Sequence, residues 1–179
     1  MFFDWIMGVA LRPRVTFERS REHLRFGYWW IVLTVMSLDA VMGIFHPESV
    51  FGREAWVDAT LFVVMFDLFI FDLQALMLLG AGRVLGWSLT WPQAVKFCGL
   101  LWSINVLEDL FVFYPSLKAI AQIELWTMGF FSIWYVIVMA IGVRRISGLS
   151  GWKTLVVTLL AGATWRTAFF ALAYYSLKS

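Results

Sequence analysis

Apolar residues run almost unbroken through five stretches of this chain: Phe26–Phe45, Ala55–Gly80, Trp91–Tyr114, Ile120–Val143 and Trp152–Leu177. A helix that crosses hydrocarbon needs about 20 mostly apolar residues, and each stretch reaches that length. The pattern predicts an all-α membrane protein with five transmembrane helices. Residues 27–179 would form that five-helix transmembrane domain, and residues 1–26 a cytoplasmic interfacial segment. Within that segment, Phe2, Phe3, Trp5, Ile6 and Val9 predict a short amphipathic helix over Met1–Leu11, ended by Pro13. The charged stretch Arg14–Arg25 follows, with Thr16 placed to cap a second helix. Apolar and basic residues together suit a segment lying on an anionic leaflet.

Composition agrees with lipid as the main solvent: 61% of residues are hydrophobic and mean hydropathy is +0.80, far above soluble norms. Lys and Arg placement orients the spans. Arg12, Arg14, Arg19, Arg21, Arg25, Arg83, Lys96, Arg144, Arg145 and Lys153 fall on one side, ten against the three of Arg53, Lys118 and Lys178. Positive charge stays cytoplasmic, so the N-terminus is expected inside and the C-terminus outside. Many of the eleven tryptophans, Trp29, Trp30, Trp87, Trp91 and Trp152 among them, fall near the expected cytoplasmic boundary, where they suit interface anchors. The net charge of +2 gives no reason to expect nucleic acid. Cys98 is the single cysteine, so no internal disulfide framework exists. With Asp4 and no basic run at the start, no signal peptide is expected.

Two loops share one motif. Gly80-Ala-Gly-Arg83-Val-Leu-Gly86-Trp-Ser88 and Gly142-Val-Arg-Arg145-Ile-Ser-Gly148-Leu-Ser150 both read G-x-x-R-x-x-G-x-S. Each fits a helix–turn–helix in which the later glycine permits a left-handed exit and the arginine faces the helix end and the cytoplasmic surface. Thr90 with Gln93 reads as a capping box for the next helix, and Pro92 suits an early helical position. Spans 2–3 and 4–5 would then be repeated hairpins, parallel about an axis near the membrane normal.

These features resemble the Yip-domain family of five-span membrane proteins. The matching residues are Arg12-Pro13-x-x-Thr16-Phe17 before span 1, the glycine-rich loop Gly80–Gly86 with Ser88, and Gly142-x-Arg144-Arg145-x-x-Gly148-Leu149-Ser150 running into Trp152-Lys153-Thr154. The resemblance implies a five-helix bundle with a cytoplasmic N-terminus. Eukaryotic members are linked to vesicle traffic and Rab-type GTPases. This sequence lacks their long N-terminal region, and Ile104 and Asn105 stand where many relatives carry a proline, so it is more similar to the compact prokaryotic branch. The implied role is a non-enzymatic, trafficking- or scaffold-like membrane protein of a prokaryotic plasma (inner) membrane, without cofactor. Its partners would be the bilayer, proteins at the cytoplasmic face and further copies of itself.

Charge inside the spans supports a second reading. Asp67 and Arg166 fall near the middles of spans 2 and 5, and opposite charges at equal depth should pair, with Glu108 the next choice for the arginine. Asn105, Glu108 and Asp109 share one helical face at i, i+3 and i+4, and Asp39 should reach a similar depth. Gln74 lies on the face of Asp67, whereas Asp72 is rotated from it by about 140° toward another neighbour or a partner subunit. The surplus acids Asp39, Glu108 and Asp109, with Asn105, form a candidate proton or cation site, so a small channel or transporter is the alternative function. Packing glue is the plainer role for the same residues. Thr158, Gly162 and Arg166 repeat at i+4 on span 5, and Gly129 and Ser132 offer room on span 4 for close helix contact. His23 and His46 fall on opposite sides of the membrane, so no zinc site with Cys98 is expected. Asp67 and Asp72 diverge too far for an aspartyl-protease pair, and no nucleotide-binding loop is present.

Overall fold

The structure, a computed structural model, describes residues 2–23, 33, 34, 37, 56–112 and 121–163. Among them the regular elements are all helical. Six α-helices follow in order: α1 (Phe2–Leu11), α2 (Pro13–His23), α3 (Trp56–Val84), α4 (Trp91–Val112), α5 (Ala121–Ser147) and α6 (Gly151–Thr158), the last running on as a π turn over Leu159–Ala163.

Local chemistry explains the boundaries. Proline has no N–H to donate, so it suits a first helical position; Pro13 ends α1 and also opens α2. Thr16 does not cap α2. The helix begins three residues earlier, and the Thr16 hydroxyl donates back to the Arg12 carbonyl at 3.1 Å. At the end of α3, Gly86 adopts φ +95°. The Trp87 N–H bonds the Gly82 carbonyl at 2.8 Å and the Gly86 N–H bonds Arg83 at 3.1 Å, the paired bonds of a Schellman cap. At the end of α5, Gly148 adopts φ +70° and closes with one bond to the Arg144 carbonyl at 3.2 Å. Both motif glycines therefore make the left-handed exit expected of them, through two variants of the cap. Gln93 makes its half of the capping box: its Oε1 accepts from the Thr90 N–H at 3.0 Å and also from the Thr90 hydroxyl at 2.9 Å. Ser150 occupies the N-cap of α6, but its side chain makes no capping bond.

Helix α4 is the centre of the bundle. Every residue from Ala94 to Ile104 is buried, the signature of a helix covered on all sides. Ile70, Phe71, Ala75 and Leu78 of α3, Tyr135, Val138, Met139 and Val143 of α5, and Val157 with Ala161 complete the core. Glycines set how closely some helices approach, two of them within the bundle core. A Cβ on Gly142 would lie 2.8 Å from the Phe97 ring and 2.9 Å from the Phe17 ring, and one on Gly162 would lie 2.6 Å from Met139 Sδ. Gly162 thus makes the close contact expected of it. Gly129 does not, since nothing among the described residues lies within 4 Å of a Cβ placed there.

The apolar face of the N-terminal segment is spent on protein. Helix α1 packs on α4 and α2 on α5, burying Ile6, Val9, Ala10 and Phe17. Trp134 donates its indole N–H to the Ala10 carbonyl at 3.0 Å, and the Phe17 and Phe97 ring centroids are 5.4 Å apart. Met7, Leu11 and Val15 remain outward.

The sides of the bundle are apolar on the outside too. Met65, Leu68, Phe69, Leu73 and Leu76 of α3 are exposed, as are Trp126, Phe130, Ile133 and Ile137 of α5 and Leu155, Leu159 and Leu160 beyond it. Among the described residues one segment, Gly129–Ser147 with mean hydropathy 1.5, is both long and apolar enough to cross a membrane.

Candidate functional site: the basic end of the bundle

The two motif turns meet at one end of the molecule, and α1–α2 folds over the same end. Lys153, on the first turn of α6, donates to the Leu85 carbonyl at 3.0 Å, which fastens the second turn to the first. The two motif arginines are used differently. Arg83 donates to the Leu89 carbonyl at 3.2 Å and closes its own turn. Arg145 reaches across to α2 and pairs with Glu18 at 2.7 Å, both side chains being largely exposed. Arg144, Arg12, Arg14, Arg19 and Arg21 are also exposed.

Between α2, α5 and the start of α6 lies an open cavity of about 720 Å³. Arg14, Arg144 and Arg145 line its polar part, Ile141 and Leu155 its apolar part, and Gly148 and Gly151 keep the backbone bare beside it. Ser147 shapes this turn: its hydroxyl donates to the Val143 carbonyl at 2.6 Å and accepts the Leu149 N–H at 3.0 Å. Three guanidiniums line the cavity and one of them, Arg145, pairs with Glu18, so the group is left with two surplus positive charges. A phosphate or carboxylate is the chemistry such planar donors suit.

A second polar feature lies in the bundle centre. Gln74 of α3, Trp102 of α4 and Tyr135 of α5 are all fully buried and meet at one point. Trp102 Nε1 donates to Gln74 Oε1 at 2.9 Å. An indole N–H only donates, which fixes the orientation of the amide. The Tyr135 hydroxyl sits on the amide edge, 2.6 Å from Nε2, whose proton it accepts, and 2.9 Å from Oε1. Phe71 braces the indole edge-on at 5.3 Å. These bonds tie three helices together.

The intramembrane residues predicted from sequence are distributed as follows. Glu108 is buried and Asn105 half-buried on α4, one turn apart. Asp109 and Asp67 lie on α4 and α3, but their side chains are outside the described residues, as are Asp39 and Arg166 altogether. The expected Asp67–Arg166 pair and the Asp39 part of the acidic site therefore fall outside what the structure describes. Asp72 is exposed on the apolar outer face of α3, turned away from Gln74. Among the described residues no three His, Cys, Asp or Glu side chains group as a metal site. Among the described residues Thr158 is buried with no hydrogen-bond partner for its hydroxyl, and a π turn over Leu159–Ala163 follows it.

Sequence reasoning singled out Gln74 without finding Trp102 and Tyr135; it read Arg14 as a topology signal and Arg144 and Arg145 as topology and turn-motif residues, without joining the three in one site. An amide inside an apolar run and an arginine doublet beside a glycine turn were the available signs. No family model, curated protein or solved structure matches this chain.

Proposed function

We propose that this chain is a non-catalytic, multi-pass membrane protein of the Yip type, which organises membrane lipids and protein partners through its basic end. In this reading the five apolar stretches span a prokaryotic plasma membrane with the N-terminus inside. The two turns and α1–α2 then form the cytoplasmic face. One observation carries the reading: the bundle is apolar on its sides and gathers exposed arginines from α1–α2 and both turns at one end. Soluble monomers rarely expose contiguous apolar surface on this scale, and a basic end beside an apolar belt suits the inner leaflet.

Single cysteines at Ser88 and Ser150 test this directly, because both residues are exposed in the turns. In intact cells both should resist a membrane-impermeant thiol reagent and react once the membrane is opened. Labelling of either from outside overturns the orientation. The channel reading is separated by reconstitution: purified protein in liposomes should move neither protons nor divalent cations. Flux abolished by Glu108→Gln would replace the organising role with transport.

A further inference from the structure

We propose that the arginine-lined cavity holds a phospholipid whose headgroup carries a phosphomonoester. The inference deepens the reading above and rests on it for the leaflet from which the lipid comes. Arg14 and Arg144 line the cavity, and neither has an acidic partner among the described residues. Arg145 is partly neutralised by Glu18. The two charges left over match a phosphomonoester, which carries roughly −1.5 to −2 near neutral pH. The first N–H groups of α6 add donors at the rim: Ser150 supplies no side-chain cap, and the first turn of any helix has N–H groups without intrahelical acceptors.

The walls point to a lipid rather than to a free anion. Ile141 of α5 and Leu155 of α6 line the cavity. The next turns away from the turn carry Ile137 and Ile133 on α5 and Leu159 beyond α6, all exposed. Successive turns are about 5.4 Å apart, so two apolar rows lead from the arginines along the side of the bundle. A phosphate seated on Arg14 and Arg144 would direct an acyl chain between these rows. An inorganic anion would use the arginines and leave the rows without a purpose.

The test is native mass spectrometry of the full-length protein in detergent, with dioleoyl phosphatidate, phosphatidylglycerol or phosphatidylcholine added, and separately with inorganic phosphate or glycerol 3-phosphate. Phosphatidate should be retained about tenfold better than phosphatidylglycerol, as expected for one additional charge-assisted hydrogen bond, and phosphatidylcholine should be lost. Arg14→Gln and Arg144→Gln should each lower phosphatidate retention by about tenfold. Arg144→Lys should recover part of it, and Arg19→Gln, outside the cavity, should change nothing. Leu155→Asp should lower retention while leaving both arginines in place. All the substituted side chains are exposed, and thermal unfolding of each variant confirms that it is folded. Equal retention of phosphatidate and phosphatidylglycerol, insensitivity to Arg14 and Arg144, or binding of inorganic phosphate as strong as that of the lipid would each overturn the proposal. Cysteine labelling stands apart from this result: external labelling at Ser150 with arginine-dependent lipid retention would move the site to the other leaflet and sink only the orientation.

Discussion

Gln74→Leu is the sharpest probe of what holds the bundle together. Leucine fills nearly the same volume, so the change removes hydrogen bonds and leaves little cavity. Two buried donors lose a bond to the amide: the Trp102 indole N–H, 2.9 Å from Oε1, and the Tyr135 hydroxyl, 2.6 Å from Nε2 and 2.9 Å from Oε1. A buried donor left unsatisfied costs about 1–3 kcal/mol, whereas an interhelical bond within a membrane bundle averages only ~0.6 and reaches ~1.7 kcal/mol. With two such bonds removed from a fully packed centre, the expected loss is about 2–3 kcal/mol. Tyr135→Phe strands one amide donor and should cost about 1 kcal/mol. The double variant should cost clearly less than the sum, with an interaction of about 1 kcal/mol or more, because the two groups share the same bonds. Reversible unfolding in mixed micelles, followed by tryptophan fluorescence, measures all three. A Gln74→Leu protein within about 0.5 kcal/mol of the unmodified one, or strict additivity in the cycle, refutes the account of this junction.

Four further outcomes follow from the packing. Gly142→Ala should destabilise by about 1–3 kcal/mol, because the new methyl meets the Phe17 and Phe97 rings at 2.8–2.9 Å; protease nicking between α1–α2 and the bundle should rise with it. Gly86→Ala and Gly148→Ala should each cost about 1 kcal/mol, since both positions hold positive φ, and thermal unfolding reads this. Arg145→Gln should change stability by less than about 1 kcal/mol, because its pair with Glu18 is more than 40% exposed on both sides. Cys98, fully buried on α4, should stay unmodified by thiol reagents in the folded protein and react on denaturation. That gives cysteine-labelling experiments a silent background.

The helical class, the two turns and their glycines, the break at Arg12-Pro13 and the Thr90–Gln93 box were all legible in the chain. Each rests on interactions between residues no more than about five positions apart, and such short-range geometry is set by residue type: a left-handed exit favours glycine, and an extra glutamine oxygen finds the nearest orphan N–H. Thr16 shows the limit even locally, because Pro13 claimed the helix start before the threonine could cap it. Long-range facts were not legible. The same motif position holds Arg83 and Arg145, yet one closes its own turn and the other grips a helix 127 residues earlier in the chain. Hydropathy marked α1 as apolar on one face without saying that Ile6 and Val9 would bury that face against α4, or that Phe17 of α2 would be buried beside α5.

By itself, then, the sequence determined an all-helical chain with apolar stretches, glycine-broken turns and arginines concentrated near those turns, since all of these follow from local propensity and transfer of side chains out of water. The tertiary structure alone decided which polar groups meet. Gln74, Trp102 and Tyr135 converge from three helices, and Arg14 joins Arg144 and Arg145 around one cavity. The rotation and depth at which helices pack are fixed by the fit of all their side chains at once, and no window of sequence contains that sum.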